Sequence, residues 1–368
     1  MTDQENKDPS LHYGIDDASS ESADGSAKQE AATGFFTFQK FATDAIELID
    51  DMYSKDGAPP IVGTGFPELD ELTRGLRPGE LTVIAGKSKS ARTAFASQVA
   101  SNICRTGESR AAYYSLGLTG EELAMRMISS DGMMDHARLM NGALTDEDWP
   151  RLTHAIQRLD DFPLHVCDSG NLSAQQMCEN AKSLAAAQGK LEAVFIDPFP
   201  PFSMLDETCD GADVYRALLS FKLLAKELSC PVVVVAPVKM TAERRTAKRP
   251  AISDLWFCKE FDAVADTVLL FDRYVLDAAS GGVCDTVEIR VERQRSGPEG
   301  SVMLGFDAFS LTFFDVSKRQ CVPLLDGSAK QIEYAEAIRE RHRESFPTSP
   351  NLFQRASSTW WIENREAL

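Results

Sequence analysis

The sequence predicts an α/β protein: a mostly parallel central sheet flanked by helices, with a C-terminal antiparallel extension. Three observations predict it. Six short apolar runs, Leu81–Ala85, Ala111–Leu116, Leu164–Val166, Ala193–Ile196, Val232–Ala236 and Val268–Phe271, are continuous rather than alternating, as strands covered on both faces are. All but the last are separated by segments of helical periodicity, which points to parallel strands joined by helical crossovers. After Phe271 the texture changes to Asp285–Glu292, Ser301–Phe306 and Leu311–Phe314, short strands set off by the turns Ser296-Gly-Pro298 and Asp307-Ala-Phe309.

The elements follow in chain order. Residues 1–34 carry Asp3, Glu5, Asp8, Asp16, Asp17, Glu21, Asp24 and Glu30 against Lys7 and Lys28, with few large apolar side chains. Such a stretch cannot bury enough surface to offset the entropy of ordering, and a disordered acidic tail is expected. Residues 35–56 predict an amphipathic helix, with Phe38, Phe41, Ala45, Leu48, Ile49 and Met52 on one face and Asp44, Glu47, Asp50 and Asp51 opposite. Gly57-Ala-Pro-Pro60 ends it. The α/β core is expected over 61–316. A charged helix over 328–344 and a polar stretch ending near Trp360-Trp361 make up 317–368.

Composition narrows the chemistry. The 368 residues are 43% hydrophobic and 26% charged, with a net charge of −18. An acidic chain has no global attraction to a polyanion, so any nucleic-acid contact must come from a local basic patch. One exists: Glu243-Arg-Arg-Thr-Ala-Lys-Arg249 gathers Arg244, Arg245, Lys248 and Arg249, either as a solvated loop or as a phosphate-backbone contact. No apolar run approaches the ~18 residues of a membrane helix, so no membrane partner is expected. The N-terminus lacks the apolar core of a secretory signal. The 8 cysteines form no Cys-x-x-Cys or Cys/His cluster, so buried thiols are expected, with no zinc and a cytoplasmic location.

The chemistry-bearing segment is Leu81-Thr-Val-Ile-Ala-Gly86-Lys87-Ser88-Lys89-Ser90-Ala91-Arg92-Thr93. A buried strand enters a polar loop, and a helix begins near a threonine. That is the layout of a phosphate-binding loop, in which backbone N–H groups and a helix N-terminus cradle phosphates. Against G-x-x-x-x-G-K-[ST], Gly86 and Thr93 match, while Ala91 stands for the second glycine and Arg92 for the lysine. Ala91 puts a Cβ where φ > 0 or a close phosphate is needed, at a cost of about 1 kcal/mol. Arg92 keeps the charge but not the compact ammonium. Lys87 and Lys89 also lie in the loop.

Around this loop, Gly63-Thr-Gly-Phe-Pro-Glu-Leu-Asp70-Glu-Leu-Thr-Arg-Gly75-Leu-Arg-Pro-Gly79, Leu144-Thr-Asp-Glu-Asp-Trp149, Ala225-Lys-Glu-Leu228, Arg245-Thr-Ala-Lys-Arg-Pro250-Ala-Ile-Ser-Asp-Leu255 and Arg293-Gln-Arg295-Ser-Gly-Pro-Glu-Gly300 follow in order. Together they resemble the RecA-like P-loop NTPase domain of DnaB-type replicative DNA helicases, over about 35–316. The resemblance implies ATP and Mg2+ as ligands, single-stranded DNA as track, and self-association in a hexameric ring. The 35–56 segment would be the linker helix that packs on an adjacent subunit, and the chain leaves no room for the family's N-terminal helical domain. By the same resemblance, Asp197 and Thr93 are the magnesium-side groups. Arg295, with Arg293, is the candidate arginine finger reaching a neighbour's site, the alternative being an ordinary hairpin arginine.

The departures fall on distinct jobs. The family's water-activating glutamate position is Gly117, with Glu121 and Glu122 four and five residues on. The Tyr-Leu-Gln after the aspartate is Pro198-Phe199-Pro200, the Ser-Gln that senses the γ-phosphate is Ala236-Pro237, and an expected arginine is Trp256. The expectation is a degenerate site with ATP hydrolysis weak or lost. A regulatory or structural paralogue partnering a replicative helicase or helicase loader is then expected, with an active 5′→3′ helicase and a nucleotide-independent scaffold as alternatives.

Overall fold

The computed structural model describes residues 36–54, 62–105, 107–160, 162–200, 210–239, 249–274, 285–295 and 297–315. The expectations for the acidic tail, the 328–344 helix, Trp360, Trp361, Arg244, Arg245 and Lys248 lie outside these residues. Two compact units divide at Pro59 and Pro60.

The first unit contributes one described element, α1 (Phe38–Ser54), which begins three residues later than the predicted helix. Among its described side chains Phe38, Phe41, Ile46, Ile49 and Tyr53 are exposed.

The second unit is built on a nine-stranded sheet. Its strands are β1 (Leu81–Gly86), β2 (Arg110–Ser115), β3 (Leu164–Cys167), β4 (Leu191–Asp197), β5 (Val232–Pro237), β6 (Thr267–Tyr274), β7 (Asp285–Gln294), β8 (Gly300–Asp307) and β9 (Thr312–Asp315). Their order is β3-β2-β4-β5-β1-β6-β7-β8-β9. Every pair from β3 to β6 is parallel, and every pair from β6 to β9 antiparallel. The predicted change of texture after Phe271 is therefore the change of strand direction.

The helices are α2 (Pro67–Thr73), α3 (Arg92–Cys104), α4 (Gly120–Gly132), α5 (His136–Met140), α6 (Asp148–Leu159), α7 (Ala174–Gln188), α8 (Gly211–Leu228) and α9 (Cys258–Val264). Alternate residues of the same strands feed two cores. Val83, Val194, Val232 and Val234 pack with Phe221 and Leu224 of α8 on one face. Ile84, Phe195, Val233 and Val235 pack with Phe95 and Val99 of α3 on the other. Both parities of each central strand are thus apolar, which is why the runs are unbroken. The helix α9, between β5 and β6, is not foreseen by the sequence pattern, because its seven residues are too few to show a period.

Parallel register aligns the strand ends. Gly86 pairs with Pro237 and Phe271, and Ser115 pairs with Asp197. The C-termini of β1, β2, β4 and β5 therefore share one edge of the sheet, the edge where open α/β folds place their ligands. No described helix is long and apolar enough to cross a membrane. Cys104, Cys178 and Cys230 are buried, and burial pushes the Cys230 thiol up to about 12.

Candidate nucleotide site

The loop between β1 and α3 sits on that edge. A Cβ added at Gly86 would lie 2.7 Å from the carbonyl oxygen of Phe271 and 2.7 Å from Ser90 Oγ, so the first position of the motif admits only glycine without moving β6. Two residues of the loop, Lys89 and Ala91, take left-handed conformations at φ +62° and +65°. Ala91 occupies the place of the motif's second glycine, and its Cβ carries the strain that glycine would avoid. Ala91→Gly is expected to raise the unfolding free energy by about 1 kcal/mol, read as a higher urea midpoint at unchanged slope.

Ala91 is also the N-cap of α3 and offers no side-chain hydrogen bond to the first turn. The first-turn N–H groups are therefore left for water or an anion, with the helix dipole behind them.

The loop's cations are differently employed. Lys87 Nζ lies 3.2 Å from Asp272 Oδ1 of β6. Lys89 is exposed, and its carbonyl accepts a 3.0 Å hydrogen bond from Arg273 Nη1. Arg273 is held in turn by Asp285 and stacks on the Phe306 ring, 4.9 Å from its centroid. Arg92 points into the sheet edge, where its Nη1 donates to the carbonyl of Ala236. Burial lowers the Arg92 guanidinium to about 10, against an opposing pull from Asp197. Ser90 Oγ is buried without a hydrogen-bond partner.

Asp197 ends β4 beneath this loop. Tyr113 donates its phenol to Asp197 Oδ2 at 2.8 Å, and the nearby Thr93 hydroxyl favours the charged form of the same carboxylate. Burial holds Asp197 above the usual carboxylate range, although Tyr113, Thr93, Arg92 and Arg126 all favour its charged form. Burial, followed by the field of Asp197, pushes the Tyr113 phenol well up. Thr93 and Asp197 thus offer adjacent hydroxyl and carboxylate oxygens, the donor types Mg2+ takes alongside phosphate oxygens.

A cleft of about 380 Å³ opens in front, lined by Lys89–Ala94, Arg126, Arg273, Phe306, Ala308 and Leu311. The structure thus brings Gly86 through Thr93 together with Asp197. It adds Tyr113, Arg126 and Arg273, which the sequence does not single out: Tyr113 sits inside an apolar run, and the two arginines lie in no phosphate motif.

Position 117, where the resemblance expects a water-activating carboxylate, carries no side chain. Gly117 is exposed just beyond β2, where Leu116 N donates to the Asp197 carbonyl at 2.7 Å. Glu122 is committed elsewhere, its carboxylate accepting Thr119 N at 3.0 Å in a capping box that starts α4. Glu121 lies in the first turn of the same helix, and its residue is exposed.

Arg295 and Arg293 lie at the other edge. Arg295 N donates to the Asp266 carbonyl at 3.0 Å, and its Nη1 to Asp266 Oδ1 at 3.1 Å. Asp266 Oδ2 also accepts Leu81 N at 2.8 Å, which places Arg295 beside the first residue of β1. The length of β1, roughly 3.3 Å per residue, separates it from the chain's own loop. The Arg295 side chain is nonetheless 73% exposed. Arg293 Nη1 binds Asp262 at 2.7 Å. Of the basic run only Arg249 is described; it is exposed, 3.4 Å from Glu288.

Comparison with known proteins gives this geometry a family. The profile of the DnaB-like helicase C terminal domain matches residues 62–315. A probable replicative DNA helicase of Trieres chinensis is 31% identical over 276 residues, 73% of this chain and 61% of the relative. The replicative DNA helicase DnaB of Geobacillus stearothermophilus is 26% identical over 298 residues, 80% of this chain and 65% of the relative. The chain spans less than two thirds of the length of either. Among solved structures, an isolated ATPase domain aligns with a TM-score of 0.67 at 23% identity, covering 74% of this chain and 98% of that one. A DnaB-like replicative helicase, from a structure concerned with its interactions with primase, aligns at 0.65 and 22% identity, covering 80% and 72%. Both share the fold described above. With the profile covering more than half of its residues, this chain belongs to the DnaB-like helicase C-terminal domain family.

Proposed function

We propose that this chain is a DnaB-family protein of DNA replication that holds a nucleotide but hydrolyses it weakly or not at all. In this reading it serves as a regulatory or structural partner of a replicative helicase or its loader. One observation carries the reading: the position that the family resemblance gives to a water-activating carboxylate is Gly117, and the nearby Glu122 is tied into a helix cap. A positioned base contributes typically ~10²–10⁴ in rate, so its loss alone removes most turnover.

The binding half of the site supports nucleotide retention. Gly86 through Thr93 would cradle the phosphates with backbone N–H groups and the α3 N-terminus. Thr93 and Asp197 would hold Mg2+, which when bound neutralises charge on the phosphate oxygens.

Arg295 supports a ring. Sitting at the sheet edge away from its own loop, it is exposed for use on a neighbouring subunit. Arg249, with Arg244, Arg245 and Lys248, supplies the cations for a single-stranded DNA backbone in such a ring.

The test is titration of a fluorescent ATP analogue against the whole chain with Mg2+, with phosphate release assayed in parallel, with and without single-stranded DNA. Saturable binding without turnover is expected. DNA-stimulated turnover that disappears in Asp197→Ala would instead establish an active helicase. No binding at millimolar analogue, with a helicase still captured, would establish a nucleotide-independent scaffold.

A further inference from the structure

Tyr113 lies inside β2, 1% exposed, on the face of the sheet covered by α3. It pairs in register with Phe195 of β4, and the two rings stack with 5.6 Å between centroids and 15° between planes. An apolar side chain would fill the same place, but a buried phenol must also find an acceptor for its proton. Asp197 stands two residues beyond Phe195 on the same strand, hence on the same face and roughly 6.6 Å further along. The Tyr113 ring spans that step, and its hydroxyl donates to Asp197 Oδ2 at 2.8 Å.

The bond acts on the carboxylate in two ways. A ring clamped on Phe195 cannot follow a turning acceptor, so the bond fixes the rotation of the carboxylate group. It also opposes the cost of burial. Asp197 is 5% exposed and burial disfavours its charge; the largest opposing pull is the Tyr113 hydrogen bond, ahead of Thr93, Arg92 and Arg126. The phenol engages Oδ2, and Oδ1 is the oxygen it leaves to other partners.

We propose that Tyr113 is a positioning residue for Mg2+, holding the Asp197 carboxylate in the orientation in which it and Thr93 take the cation that accompanies a nucleotide's phosphates. This rests on the nucleotide-holding reading above and adds to it a residue that touches neither nucleotide nor cation. Carboxylate ligands of metals are themselves hydrogen-bonded, and loss of that outer bond typically costs ~10–100-fold in metal affinity. Tyr113 accordingly sets the Mg2+ concentration at which the cleft fills, and leaves the contacts to the phosphates unchanged.

The experiment titrates Mg2+ at a fixed concentration of fluorescent ATP analogue, and titrates the analogue again in EDTA. It uses the full chain, Tyr113→Phe, Ser115→Ala, Asp197→Asn and the double variant Tyr113→Phe/Asp197→Asn, with thermal unfolding of each alongside. Tyr113→Phe keeps the ring and its stack. It is expected to raise the Mg2+ midpoint about 10–100-fold, while affinity in EDTA changes by less than about threefold. An unchanged midpoint would overturn the assignment, and so would a lower one, which would show the phenol competing with the cation. Ser115→Ala removes a hydroxyl of the same strand that donates to the Leu118 carbonyl, and is expected to leave the midpoint in place. An equal shift there would trace the effect to a loosened β2 and overturn the assignment. In Asp197→Asn the Mg2+ dependence is expected to vanish, with no further loss in the double variant. A further loss would show Tyr113 acting by another route and overturn the assignment. A parent chain that binds the analogue equally with and without Mg2+ would overturn the metal role of both residues and leave nucleotide holding intact. A parent chain that binds no analogue under either condition would overturn both readings.

Discussion

Returning a carboxylate to position 117 is expected to restore phosphate release by about 10²–10⁴ over a matched background. The background carries Ala91→Gly, Arg92→Lys and Pro237→Gln, which return the loop glycine, the compact ammonium and the amide beside the γ-phosphate. Gly117→Glu is then added. The ratio of the two phosphate-release rates isolates the base, because loop and sensor are the same in both. Position 117 follows the strand whose Ser115 pairs with Asp197, so a side chain there starts beside the Asp197 carboxylate. A tenfold change is worth about 1.4 kcal/mol of barrier, so the expected gain corresponds to roughly 3–5 kcal/mol. Equal rates in the two chains would show that a carboxylate at 117 does not act as the base in this site.

The largest effect on stability is expected at Phe95. Its ring lies 5.2 Å from Phe66, 4.9 Å from Phe271 and 5.4 Å from Phe313, and the residue is 1% exposed. Those partners come from the approach to α2, from β6 and from β9, so one ring joins the first turns of α3 to three distant segments. Phe95→Ala is expected to cost about 3–5 kcal/mol, the transfer of the ring plus the cavity left behind. Phe309→Ala, at a ring 49% exposed in the β8–β9 turn, is expected to cost under about 0.5 kcal/mol. Urea unfolding of both variants checks the contrast. A Phe95→Ala midpoint close to that of Phe309→Ala would mean the cluster closes over the gap.

The parts of this molecule that can be read from its sequence are those encoded locally. Val232–Ala236 and Ala193–Ile196 announce buried strands because both faces of each are covered, and no partner need be known to see it. Gly86 and Thr93 are legible because a phosphate loop is a contiguous motif. Arg126 is not. It lies more than thirty residues from Thr93, in a helix whose pattern shows only an amphipathic face, and reaches the cleft because α4 packs beside α3. Asp266 is equally silent: an aspartate before a strand reads as a turn residue, whereas it collects Leu81 N, Lys222 and Arg295 from three separate elements. The direction of Arg92 is also beyond reach, since its acceptor is a main-chain carbonyl of β5, and any residue at 236 would have supplied it.

The grip of Arg273 has a consequence beyond the cleft. Its guanidinium bonds Lys89 in the loop and Asp285 at the head of β7, so the loop and the β6–β7 pair are two ends of one lever. Whatever seizes Asp285, whether a neighbouring protomer or a regulatory protein, competes for the guanidinium that holds the Lys89 carbonyl. Linkage then requires that any loop ligand whose affinity this changes alter that partner's hold by the same factor. A loop held in this way can report, to whatever touches β7, whether its cleft is full.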